Sequence, residues 1–320
     1  MKRTKTTELM AGLLGMSMLA FAVMAVGAPQ DSKVPEISAG ELVRLAVSNE
    51  VAAAVGPKAL HLFRSRRQTP KGSQTRLYVE TDEALAVMMI AIDDQPLTLE
   101  QQQAESGRLG WLVGNPDQLR KKHAREKEDE ERTMRILKAL PEAFHYEYDG
   151  TEIGTAGTGV AGEPVARIKF LPNPSYAPPT RVEQVLAGFQ GEMFVDTRLR
   201  RIVKVEGTLY RDVNFGWGIL GRLDKGGHFL VRQGDLILGN GDWGITEMDV
   251  NISGKILLVK SLSMTSDEVL SDFRIAGKNL TFAQGFKMLK AEHERLANSP
   301  HTEAMTEAHK NDHQGPSQHR

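Results

Sequence analysis

Several stretches carry residue types that could do chemistry, and each fails on a specific requirement. Gly157-Thr-Gly159-Val-Ala-Gly162 has the glycine spacing of a dinucleotide loop. Such a loop needs a strand before it and a helix after it, so that the helix N-terminus meets the pyrophosphate. Here Glu163-Pro164 and then VARIKF follow, which favour a strand, so the segment reads as a hairpin turn. His293-Glu294 opens a zinc-protease pattern, but the second histidine belongs at 297, where Ala297 stands. Neither a Gly-x-Ser-x-Gly elbow nor a glycine-rich loop ending in Lys and Ser or Thr is present. His301, His309, His313 and His319 could ligate a transition metal when neutral, but their spacing is irregular and no designed site is read there. Asp196, Glu206, Asp212, Glu247 and Asp249 alternate with apolar neighbours and read as the solvated face of strands, not as an acid-base pair. The expectation is a protein that is not an enzyme and needs no cofactor or metal.

The apolar residues say more. Phe189, Met193, Val195, Val203, Val205, Leu209, Phe215, Trp217, Phe229, Val231, Met248, Val250 and Ile252 form short runs that need covering. Ordinary core packing accounts for most of them. Six of them, Val203, Val205, Phe215, Trp217, Met248 and Val250, are expected to line an apolar cavity. The chain has thirteen methionines. Met88, Met89, Met193, Met248 and Met264 fall on expected strands, where pliable side chains suit apolar ligands of differing shape.

The elements that would position these residues are mostly strands. From Gly188 to Arg274 apolar runs alternate with turn residues and no helical period persists, which is how an antiparallel meander with one buried face is written. GEMFVD, RRIVKVEGTLYRDV, GGHFLVRQGDLIL, ITEMDVNIS and KILLVKSLSM are its members. Upstream, LHLFRSRRQ, TRLYVET and ALAVMMIAI read as three strands, and FHYEYDG and PVARIKFLPNP as two more around the glycine-rich turn. A helix is expected over 34–55, begun near Ser38 or Glu41 and ended by Gly56-Pro57. Thr98 opens a charged helical insert over 98–140, with Asp117 as a candidate cap for its second helix. Lys122 with Glu126 and Arg125 with Asp129 are spaced to pair on a solvated surface, and Met134, Leu137 and Leu140 to dock it. PNPSYAPPT is a stiff extended loop. A last amphipathic helix over 278–297 presents Leu280, Phe282, Phe286, Leu289 and Leu296.

The first 28 residues have the three parts of an export signal: Lys2, Arg3 and Lys5, an apolar run from Leu9 to Val26, and small residues at Ala25, Gly27 and Ala28. Their removal leaves 37 Lys plus Arg against 40 Asp plus Glu, a balance that argues against a nucleic-acid partner. Cysteine is absent, so neither disulfides, a thiol nucleophile nor lipidation at Cys is available. No second long apolar run occurs, so no transmembrane span is expected after cleavage. The expected organisation is a signal over 1–28, one domain over 29–297 with the insert at 98–140, and a polar disordered tail over 298–320.

The order of helix, strands, helical insert, Pro-rich loop and second meander, with GEMFVDTRLRRIVKVEGTLYRDVNFGWGILGRLDKGGHFLVRQ, Gly241 and Trp243, SGKILLVKSL and SDFR, resembles exported bacterial proteins related to the outer-membrane lipoprotein-sorting, or periplasmic lipoprotein-carrier, superfamily. The likeness spans residues 60 to 274 and is strongest after Phe170. It is to a branch distinct from the well-studied carrier. It implies an α+β fold, an incomplete antiparallel β-barrel or curved sheet covered by helices, which shields acyl chains of a lipid or acylated protein in the periplasm without a cofactor. The charged insert and the lack of a lipid-attachment cysteine depart from that pattern. Periplasmic binding of lipid or lipoprotein acyl chains, with some membrane association, is therefore expected. The alternative is an envelope protein-binding or stress-sensing module on the same fold.

Overall fold

In the computed structural model the described residues are 37–56, 59–155, 157–216, 220–237, 241–256 and 260–298. The expected signal, the tail with its four histidines, and Trp217 lie outside them.

Helix α1 (Ala39–Val55) starts where Ser38 accepts from the Glu41 amide and stops at Gly56. Strands β1 (Leu60–Thr69), β2 (Gly72–Val79), β3 (Ala86–Ile92) and the two-residue β4 (Gln95–Pro96) form a first meander. Gly72 sits at φ +119 in the β1–β2 turn, a conformation that a side chain resists. The insert follows as α2 (Leu99–Val113) and α3 (Pro116–Ala143). Thr98 and Gln101 make a reciprocal capping box at α2. Asp117 does not cap α3; Asn115 holds that position and Pro116 starts the helix, its fixed φ suiting a first turn and its missing N–H costing nothing there.

A second meander runs through β5 (Phe144–Ile153), β6 (Pro164–Pro172), α4 (Arg181–Gln184) and a 3-10 turn, β7 (Phe189–Asp196), β8 (Arg201–Leu209), β9 (Val213–Phe215), β10 (Gly221–Leu223), β11 (His228–Asp235), β12 (Trp243–Ile256) and β13 (Lys260–Gly277). The glycine-rich segment joins β5 to β6, as a hairpin loop must. Helix α5 (Phe282–Ala297) closes the described chain, capped by Thr281 and Gln284.

These strands form one sheet in the order β4-β3-β2-β1-β13-β12-β11-β8-β7-β6-β5, with β9 and β10 branching from β12. The pairing of β1 with β13 joins the two meanders, so strands from both ends of the chain meet mid-sheet. Strands β4 and β5 end the path without pairing to each other. The result is a large curved antiparallel sheet that is not closed into a barrel, with helices added: an α+β fold.

The helices cover opposite faces. Leu42, Val43, Ala46 and Val47 of α1, with Ile136, Leu137, Ala139 and Leu140 of α3, pack on Ile168, Met193, Val195, Leu209, Val250 and Ile252. Leu109 and Leu112 of α2 and Phe282 and Leu289 of α5 pack on Leu62, Leu77, Val79, Ala86 and Met88. On β2 those last positions alternate with Gln74, Arg76 and Tyr78, so the second cluster lies on the other side of the sheet from the first.

Candidate functional site

The face under α1 is built by cross-strand register. Ile168 on β6 opposes Met193 on β7, Met193 opposes Val205 on β8, and Val205 opposes Val231 on β11. Val231 then opposes Met248 on β12, Met248 opposes Glu268 on β13, Glu268 opposes Arg67 on β1, and Arg67 opposes Gln74 on β2. Residues directly opposed in antiparallel strands share a face. One row across eight strands is thus apolar for five positions and then turns abruptly polar. At the change, Ser65 donates to the buried Glu268 carboxylate, and Arg67 Nε donates to Ser266 Oγ at 2.7 Å. Phe63 stacks on Tyr78 and on Phe273 alongside, with ring centroids 4.8 and 5.2 Å apart. Burial, and secondarily the Glu268 carboxylate, pushes the Tyr78 hydroxyl above its ordinary pKa.

Helix α1 is fixed over the apolar end by polar bonds at its two termini. At the C-terminal end Asn49 Nδ2 donates to the Leu199 and Arg200 carbonyls at 3.3 and 3.1 Å. Glu50 accepts from Arg201 Nε at 2.8 Å, Arg201 Nη2 at 2.9 Å and the Ile202 amide at 3.0 Å. Both members of that ion pair are buried, and the Arg201 guanidinium lies 5.4 Å from the centroid of the Trp243 ring. At the other end the Tyr148 hydroxyl donates to the Ile37 carbonyl at 2.9 Å. Tyr146 similarly donates to Leu140 O of α3 at 2.7 Å, and burial pushes its hydroxyl far above the ordinary range. Between the two fixed ends Leu42, Val43, Ala46 and Val47 of α1 belong to the same apolar cluster as the sheet residues.

Of the six expected cavity residues, Val205, Phe215 and Val250 belong to this cluster. Met248 is buried at the last apolar position of the row. Val203 goes elsewhere. Between β7 and β8 the register steps from Phe194–Lys204 to Val195–Ile202, leaving Val203 as the extra residue of a bulge. It packs instead with Val165, Phe194 and Trp243, and Val160 of the glycine-rich loop joins that cluster. Gly159, at φ +78, lies so close that a Cβ there would meet Val203 Cγ1 at 3.1 Å.

Two further buried polar groups were not foreseen. Asp196 is not on a solvated face: it is fully buried and accepts from the Arg198 and Leu199 amides at 2.9 and 2.6 Å, fixing the β7–β8 turn. Desolvation outweighs those bonds and raises its pKa. His61, also fully buried, sits between two carboxylates, with Nδ1 3.1 Å from Glu80 Oε2 and Nε2 3.4 Å from Asp242 Oδ2. Burial opposes its charged form, but Glu80 and Asp242 prevail and raise its pKa. Of the pairs expected on α3, Lys122 does meet Glu126, while Asp129 is engaged by Arg132 at 2.7 Å. Among the described residues no group of side chains is placed to hold a metal, and no helix is long and apolar enough to cross a membrane.

No family model matches the chain, and no curated protein matches it. Among solved structures it is similar to a crystal structure described as that of an outer membrane lipoprotein-sorting protein domain from Vibrio parahaemolyticus. The alignment covers 79% of this chain and 99% of that one, at 11% identity and a TM-score of 0.29. The fold is defined by this chain's own strands and their register.

Proposed function

We propose that this protein is a non-enzymatic binder of amphiphiles, holding the acyl chain of a lipid or acylated protein between the sheet and α1. The observation that supports this most is the cross-strand row from Ile168 to Gln74. Its apolar part, ending at Met248, offers a track for a hydrocarbon chain, and the adjoining Glu268, Arg67 and Ser65 offer partners for a polar head. Each buried methylene is worth about 0.8 kcal/mol. A chain of ten or so carbons thus offsets the freedom that it loses on binding. At its β6–β8 end the track is covered by α1 side chains, so binding there requires α1 to lift from the sheet with release of the polar bonds at one of its ends.

The same reading takes residues 29–297 as one unit, supported by the β1–β13 pairing, and places it in the periplasm on the strength of the three-part leader at 1–28. The experiment is native mass spectrometry of the protein purified from its own compartment without detergent, followed by titration with a defined fatty acid and a defined phospholipid. Stoichiometric lipid, co-purified or taken up, supports the reading. A protein that arrives and stays free of both contradicts it, and a co-purified polypeptide points instead to an envelope protein-binding role.

A further inference from the structure

Near one end of the sheet, the outer edge of β3 is paired only in part by the two-residue β4. Its run from Ala84 to Ile92 reads ALAVMMIAI, without a charge, a glycine or a proline. Such composition at a sheet edge favours edge-to-edge addition of another chain. The neighbouring strand β4 covers only Ala91 and Ile92, and the Leu97 amide donates to Ile90 O at 3.2 Å.

Along the remainder of the edge, side chains of the helical insert stand where a partner strand would. The Leu85 amide donates to Glu126 Oε2 at 3.1 Å, the Val87 carbonyl accepts from Arg108 Nη2 at 2.7 Å, and the Met89 amide donates to Glu105 Oε1 at 2.9 Å. Positions 85, 87 and 89 alternate, so their outward groups lie along one edge, away from β2. A neighbouring strand would offer carbonyls to Leu85 and Met89 and an amide to Val87. Two carboxylates and a guanidinium supply the same sequence of acceptor, donor and acceptor. Glu105 and Arg108 also bind each other at 2.7 and 2.8 Å, and Lys122 meets Glu126. Burial alone would raise the Glu105 pKa, but Arg108 and the Met89 amide outweigh it and hold the carboxyl below its usual range, ionised as an acceptor.

We propose that the α2–α3 insert is an edge guard, in which Glu105, Arg108 and Glu126 hold the positions that β3 of a second copy of this chain would otherwise take. A second copy is the occupant because the uncharged run is its own complement: antiparallel pairing about a two-fold axis brings the same apolar residues together from each side. The charges of the insert, read from sequence as a solvated surface, thus include three that keep copies apart.

The test compares the full chain carrying Glu105→Ala, Arg108→Ala and Glu126→Ala with a control of matched charge on the same insert, Asp117→Ala, Arg120→Ala and Glu128→Ala. The control positions are largely exposed. Sedimentation over a concentration series should leave native and control proteins alike and raise the weight-average mass of the guard variant about twofold or more. Hydrogen exchange within 84–92 should slow in that variant as concentration rises. A folded guard variant that sediments as the native protein does, or that assembles while 84–92 stays unprotected, overturns the proposal. Should the triple variant not fold, Glu105→Gln with Glu126→Gln keeps both acceptors and should sediment as native; assembly of that variant overturns the proposal. In the native protein the Leu85 and Met89 amides should exchange at least about tenfold more slowly than exposed loop amides, and equal rates also overturn it.

Discussion

Met248 on β12 and Glu268 on β13 are direct cross-strand partners, and along their row the sheet face changes there from apolar to charged. Both side chains are buried, so the boundary is sharp. An amphiphile lying across it would meet hydrocarbon on one side and hydrogen-bonding groups on the other.

Aspartate substitutions at Val205 and Val203 should separate the two sides of the bulge. Val205→Asp puts a carboxylate in the apolar row and should abolish uptake of a fatty-acid probe, whereas Val203→Asp should lower stability while leaving uptake in the folded fraction within about twofold. Burying an unpartnered polar group costs about 1–3 kcal/mol in either place. Probe binding set beside urea unfolding distinguishes the effects, and equal loss of binding in both would show that the bulge does not separate a ligand face from a structural one.

Glu50→Ala should be among the most damaging single changes, because it strands the buried Arg201 guanidinium. Removing one member of such a pair costs about 3–5 kcal/mol. Pairing Glu50→Leu with Arg201→Met should recover much of that loss, since hydrophobic replacement of both partners avoids an isolated charge. Denaturation midpoints of the three proteins check this, and a mild Glu50→Ala effect would mean that the pair does not anchor α1.

His61 makes stability depend on pH in one direction. Its unfolded pKa is about 6.5, and its folded value is higher because Glu80 and Asp242 flank it. Folding therefore favours the protonated ring, a contribution fully present below about pH 6.5 and lost as pH rises through the folded pKa. Urea midpoints should fall over that rise, leaving two carboxylates facing a neutral ring, and His61→Gln should flatten this part of the profile. An unchanged slope in the variant would assign the dependence to another group.

Strand identity was legible because period-two alternation dominates from Gly188 onward and because the polar turns at 69–73 and 82–83 separate the runs that become β1 to β3. The buried charge of Glu50 was also legible in principle, since Leu42, Ala46 and Glu50 are spaced by four on one helix face. Val203 was not, because a bulge shifts a residue across the sheet without any signature in composition. Asp196 looked like a solvated strand residue, yet its role is to hold a turn. The His61–Asp242 pairing depends on a contact between residues far apart in the chain. Glu105, Arg108 and Glu126 could not be told from neighbouring charges, because only the structure shows which ones reach the β3 backbone. The row from Ile168 to Gln74 was hidden for a similar reason: each strand is readable alone, but register decides which residues stand side by side.

Acyl-chain binding is tested by native mass spectrometry of the full chain from its own compartment, with and without added fatty acid, beside Val205→Asp under identical conditions. A one-to-one lipid complex is expected for the native protein and none for a folded Val205→Asp variant. A native protein free of lipid at saturating ligand, or a folded variant that binds as the native protein does, would contradict it.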